Sequence, residues 1–271
     1  LWDYFNLKKE QTIYTFNSSW FYFRKESKHI FEKVKENYFG GFKKEDLKNI
    51  VYFDVETAGA YPTHEDLVQT NPRLAKLWEK RAKYFRGTNP ELVELTDSEI
   101  YSQKAGLEAE FGRVVCVSFG IWDNGEHRMT SFYGEDEKEI LEKTNKVLAN
   151  ASAKGMKICG HNIKIFDVPF LGKKMIFNGM TPPPNLQLWD KKPWEVPILD
   201  TSEFFSFGSW SHKFLGLDLL ACSLGIDSPK EDIDGSQVHG TFWVEKAYDR
   251  IKEYCERDVI TVMDVLQKVS R

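Results

Sequence analysis

Residues 50 to 60 read IVYFDVETAGA, an apolar, strand-prone run broken by two carboxylates, Asp54 and Glu56, with a single valine between them. Side chains two apart on a strand point to the same face, so the spacing predicts that the two acids lie side by side and repel. A desolvated carboxylate costs several kcal/mol unless a cation compensates it, and the compensator this pair calls for is a metal ion. A second Asp-x-Glu, Asp97-Ser98-Glu99, follows Thr96. Thr96 and Glu99 have the spacing of a helix capping box, so that triplet is accounted for locally. Asp54 and Glu56 instead precede Thr-Ala-Gly, which predicts a position at the C-terminal end of a strand, where α/β proteins place ligands.

The rest of the chain is patterned around that strand. RVVCVSFGIW (113 to 122) and HRMTSFY (127 to 133) flank DNGE, and Asn124-Gly125 is a strong hairpin signal, so these two segments are expected to pair antiparallel. Ile140, Leu141, Thr144, Val147 and Leu148 keep helical spacing; KICG (157 to 160) and VPILD (196 to 200) read as short buried strands. Leu217, Leu220, Ala221 and Leu224 mark another helix, and residues 245 to 269 the last. Pro72 opens a helix on which Leu74, Leu77, Trp78, Ala82 and Phe85 follow the 3.6-residue period, interrupted by Arg81. The order predicts an α/β protein with a mixed five-stranded sheet, three antiparallel strands then two parallel ones, and helices on both faces.

With 271 residues, 41% hydrophobic and 29% charged, the chain has the composition of a globular protein with a sizeable core. No run has the 18 or more apolar residues of a membrane helix and no signal-peptide pattern is visible, so a cytoplasmic protein without membrane contact is expected. Cys116, Cys159, Cys222 and Cys255 show no C-x-x-C spacing and read as reduced packing residues rather than zinc ligands. The net charge of -4 is uneven: residues 1 to 50 carry +3 and the remainder -7. Residues 1 to 48, rich in aromatics, are expected to form an N-terminal appendage, packing on the main domain or stacking on single strands. The main domain is expected over residues 49 to 271, with a helical insertion at about 62 to 110.

Two further segments carry chemistry. GHNIKIFDVPFL (160 to 171) sets Asn162 five residues before Asp167, which stands ahead of Pro169 and fits a helix N-cap equally well. In KEYCERDVITVMDVL (252 to 266), Asp258 falls where the period of Ile251, Tyr254, Val262 and Val265 calls for an apolar residue, and Tyr254 is its i, i+4 neighbour. Asp232 and Asp234 before Gly235 lack the remaining ligands of a calcium loop and read as a turn. His161 reads as structural.

Taken in order, Asp-x-Glu, Asn-x-x-x-Phe-Asp and Tyr-x-x-x-Asp resemble the DEDD exonuclease superfamily with its RNase H-like fold. Tyr254 places the resemblance in the tyrosine branch, since the position of the histidine branch's His is Glu253 here. KKPWEVPILDT (191 to 201) and SPKEDIDGSQV (228 to 238) look like stand-alone 3'-5' exonucleases related to the proofreading domain of family B DNA polymerases. The resemblance covers about residues 49 to 269. It implies a metal-dependent 3'-5' exonuclease acting on DNA more readily than RNA, with a separate polymerase or repair protein as partner. It further implies that Asp54, Glu56, Asp167 and Asp258 hold two Mg²⁺ or Mn²⁺ ions, oxygen ligands suiting both, and that Tyr254 orients the attacking water. Thr57 and Asn162 would contact the terminal nucleotide, Phe166 would pack beside the site, and Asp200 would support it from behind. The competing readings are an exoribonuclease and a noncatalytic nucleic-acid-binding or interaction module on the same fold.

Overall fold

The ten residues Ile50–Gly59 form strand β1, which lies at the centre of the sheet. The computed structural model describes residues 43–192, 195–206, 215–226 and 232–270. The appendage expected over residues 1 to 48 lies outside the described residues up to residue 42. Strands β2 (Gly112–Asp123), β3 (Glu126–Tyr133), β4 (Lys157–Gly160) and β5 (Ile198–Asp200) complete a sheet of order β3-β2-β1-β4-β5. β1 pairs antiparallel with β2 and β2 with β3, whereas β4 runs parallel to both β1 and β5. This is the expected mixed sheet. Asn124 and Gly125 both have positive φ, 53° and 87°, as a type I′ hairpin requires.

Helices α1 (His64–Thr70), α2 (Pro72–Thr88) and α3 (Asp97–Lys104) follow β1; α4 (Glu137–Ala153) and α5 (Asp167–Phe177) flank β4; α6 (Thr201–Ser206) and α7 (Leu217–Ser223) follow β5; α8 (Tyr248–Val269) comes last. Among the described residues no helix is long and apolar enough to cross a membrane. Odd-numbered β1 residues Val51, Phe53 and Val55 pack with Ile140, Leu141 and Leu148 of α4 and Val168, Leu171 and Met175 of α5. The opposite face receives α8 through Ile251 and Cys255, against Ala58, Val115 and Cys116. Covered on both faces, β1 and most of β2 are buried, and each large aliphatic side chain removed from water contributes about 1.5–3 kcal/mol.

The helices after β1 enclose their own cluster. Fully buried Trp78 meets Tyr101 and Phe111 edge-on, with ring centroids 5.1 and 5.0 Å apart, and its indole N–H donates to the Asp97 carbonyl at 2.9 Å. Edge-on pairs of this kind add about 0.5–1.5 kcal/mol each. Thr96 and Glu99 form the expected capping box at the start of α3. The apolar stripe of α2 is rotated from the expected one: Ala75, Trp78 and Ala82 are buried while Leu77 is exposed. Arg81, out of period in sequence, lies over the rings of Tyr84 and Phe85 and pairs with Glu108.

Candidate active site

Asp54 and Glu56 face α8 from the middle of β1, with Ser118 and Cys116 of β2 opposite them. The strand does not end at the acids, as the sequence suggested, but continues to Gly59 because β2 goes on pairing with it. What ends is the parallel neighbour: the last β1–β4 pair is Tyr52 with Cys159, so both acids stand beyond the end of β4. The crevice expected at a strand terminus is therefore formed by a partner strand stopping short. Immediately after Glu56 the pairing with β2 skips Val115, a β-bulge of the kind that re-aims side chains beside functional sites.

The chain leaving β4 supplies the third acid. Asp200 on β5 is buried and accepts the amides of Asn162 (2.8 Å), Lys164 (3.0 Å) and Ser202 (3.0 Å), which shapes the loop between β4 and α5. Asn162 takes a left-handed conformation, φ 62°, and its carbonyl accepts the amides of Ile165 and Phe166. Asp167 is thereby set as the first residue of α5, with Phe166 at the cap position, so it is not the helix cap that its place before Pro169 allows. It is 3% exposed, and its Oδ1 has no hydrogen-bond partner.

The fourth acid comes from α8. The buried stripe of that helix runs through Ile251, Cys255, Val259, Val262 and Leu266, so Tyr254 and Asp258 lie half-buried at its edge rather than on its apolar centre. The Tyr254 hydroxyl points toward the turn at Gly235 and would be 3.9 Å from a Cβ there. That turn is built as expected for Asp234, whose Oδ1 accepts the Ser236 amide at 2.8 Å. One neighbour was not read from the sequence as part of the site: the thiol of Cys255 donates to Asp54, with Sγ 3.4 Å from its carbonyl oxygen and 3.5 Å from Oδ2. Its signal was the helical spacing, since Cys255 and Asp258 are i, i+3.

Electrostatics ties the four acids together. Burial, followed by the charges of Asp54, Asp258 and Asp167, holds the Glu56 carboxyl well above the usual range. Burial and the charge of Asp54 do the same to Asp167, partly offset by main-chain hydrogen bonds from Asp167 and Val55. Burial raises Asp54 to about 6, with hydrogen bonds from Cys255 and Glu56 opposing the rise. Buried carboxylates that raise one another's pKa fit a hard divalent ion, and the unpartnered Oδ1 of Asp167 is a further oxygen ligand for one.

Beside Glu56 opens a cleft of about 160 Å³ lined by Thr57, Gln103, Leu107, Phe166, Ser236 and His239, among others. Of the three candidate substrate contacts, Thr57 and Phe166 line it; Asn162 does not, its backbone being engaged in the loop. The Thr57 hydroxyl donates to the Gly106 carbonyl at 2.6 Å. His239 was not singled out in the sequence. Its Nδ1 accepts the Gly59 amide at 3.0 Å, its Nε2 donates to the Pro62 carbonyl at 3.0 Å, and burial lowers its pKa. With Trp243 donating to the Gly59 carbonyl at 2.8 Å, it clamps the end of β1. His161 is structural as expected: Nε2 donates to the Leu215 carbonyl at 2.6 Å, and burial lowers its pKa.

A family model described as RNase H superfamily matches residues 104–270. The chain belongs to the RNase H superfamily. The match begins after β1, so Asp54 and Glu56 join this RNase H superfamily member's other acids through the sheet and not through the matched segment. A comparison with curated proteins gives no match. Among solved structures the fold is similar to that of the family B DNA polymerase from the hyperthermophilic archaeon Pyrobaculum calidifontis, with 15% identity and a TM-score of 0.50 over 81% of this chain and 24% of that one. The RNase H superfamily chain thus matches about a quarter of the polymerase's length, and the likeness is one of fold.

Proposed function

We propose that the chain is a metal-dependent 3'-5' exonuclease that hydrolyses single-stranded DNA ends and releases nucleoside 5'-monophosphates. Superfamily membership supports a nuclease-type hydrolase. The observation that carries the finer reading is the convergence on Glu56, whose carboxyl is raised first by burial and then by the charges of Asp54, Asp258 and Asp167, delivered from β1, α8 and α5. Asp54, Glu56, Asp167 and Asp258 would hold two Mg²⁺ or Mn²⁺ ions. When bound, such ions neutralise charge on the attacking and leaving oxygens of a phosphodiester.

The chain's own residues supply positioning. Tyr254, one turn before Asp258 on α8, would orient a water through its hydroxyl, which points toward Gly235 on the wall of the cleft that Glu56 also lines. Thr57 and Phe166 line the cleft beside Glu56, and Phe166 is braced by Phe170 at a centroid distance of 5.5 Å. The likeness to a DNA polymerase favours DNA over RNA as the substrate.

The test is digestion of single- and double-stranded DNA and RNA labelled at either end, with Mg²⁺ or Mn²⁺. Stepwise loss from the 3' end of single-stranded DNA is expected. Shortening from the 5' end, or in excess chelator, would refute the proposal; binding without shortening would assign the fold to a noncatalytic module.

A further inference from the structure

The sulfur of Cys255 gives this site a ligand that a purely carboxylate centre lacks. The ligand atoms of Asp54, Glu56 and Cys255 all lie within 4.8 Å of one another. The separation of Sγ and Asp54 Oδ2, 3.5 Å, matches the edge of a tetrahedron around a zinc-like ion, roughly 3.6 Å for metal–sulfur and metal–oxygen bonds of about 2.3 and 2.1 Å. An octahedral magnesium site needs cis donors only about 2.9 Å apart. A second observation comes from another element: Asp167 is 3% exposed, its Oδ1 is unpartnered, and its charge is felt at Glu56. Its own carboxyl in turn feels the charge of Asp54, one of the three. Glu56 lines the open cleft, which provides the entry path.

We propose that Asp54, Glu56 and Cys255 form a site for a thiophilic divalent cation of the zinc or cadmium type, overlapping the oxygen-liganded site and excluding Mg²⁺ or Mn²⁺ from it. Thiolate donors select such ions over the harder ones. On binding, the Cys255 S–H bond breaks, a metal–sulfur bond forms, and the proton passes to solvent, so uptake releases acid. The consequence is a centre that hard ions activate and soft ions block. The site stands on geometry; the block rests on the exonuclease reading above.

The experiment is a Cd²⁺ titration of the full metal-free chain carrying Cys222→Ser, which removes the exposed thiol, followed by the ultraviolet cadmium–thiolate charge-transfer band. One Cd²⁺ per chain is expected, with the band competed away by excess Mn²⁺. Cys255→Ala, or Cys255→Ser should the alanine variant not fold, is expected to abolish the band in a chain that still melts cooperatively. Asp54→Asn is expected to raise the Cd²⁺ needed at least tenfold. No band in the folded parent chain, or a band that survives loss of Cys255, overturns the site. An intact band in a chain without Mn²⁺-dependent nuclease activity would overturn the exonuclease reading alone.

Discussion

Asp200 Oδ1 accepts the main-chain amide of Asn162 at 2.8 Å, and through this bond the last strand dictates where the third acid of the site stands. With the Lys164 and Ser202 amides also on its carboxylate, Asp200 replaces the hydrogen bonds that a loop turning into α5 cannot make with itself. Asp200→Asn turns one acceptor into a donor facing an amide. It is expected to cost about 1–3 kcal/mol in urea unfolding and to weaken the metal response by displacing Asp167; unchanged stability would mean that the loop holds without it.

Gly160, at the end of β4, tests the same junction sterically. A Cβ there would lie 2.3 Å from Ile163 Cγ2 and 2.7 Å from the Phe53 carbonyl oxygen. Gly160→Ala is expected to lose about 1–3 kcal/mol by overpacking, read by chemical denaturation, whereas Gly172→Ala, with open space around it, serves as the control.

The pH dependence follows from the raised carboxyls. Asp54, pushed up to about 6, and Glu56 and Asp167, held higher than usual, keep protons in the folded state that the unfolded chain releases near pH 4. The metal-free protein therefore loses this stabilisation as pH rises from about 4 through 6. Ligands must shed protons to bind a cation, so the Mn²⁺-induced rise in melting temperature is expected to be larger at pH 8 than at pH 5. An equal shift at both would refute the shared site.

Asp54→Asn or Asp258→Ala is expected to remove most of that metal response and abolish hydrolysis. Saturation at 100 times the dissociation constant is worth about 2.7 kcal/mol to the parent. Each variant should be at least as stable as the parent without metal, because a repelling charge is gone; a marked loss of metal-free stability would show the carboxylate to be structural.

Tyr254→Phe is expected to lower kcat by about 10- to 1,000-fold and leave the Mn²⁺ thermal shift in place. Parental turnover would assign the hydroxyl to packing beside Gly235.

The local chemistry of the chain determined much of this by itself. Asn124-Gly125 specified its hairpin because both residues accept positive φ, and Thr96 and Glu99 specified a helix start because they satisfy each other's backbone. The period-2 spacing of Asp54 and Glu56 put two charges on one face. What sequence could not settle were positions decided by a distant partner. Asp167 fits a cap locally, but Asp200, 33 residues on, draws the loop so that Phe166 takes the cap position and the carboxyl turns toward Asp54. Tyr254 and Asp258 keep the helical period, yet the face that α8 buries is chosen by the sheet, which prefers Cys255 and Val259 and leaves Tyr254 and Asp258 at the rim. Repulsion among four carboxylates exists only once β1, α5 and α8 converge. It is a property of tertiary structure because charges separated along the chain are screened by water until folding removes it.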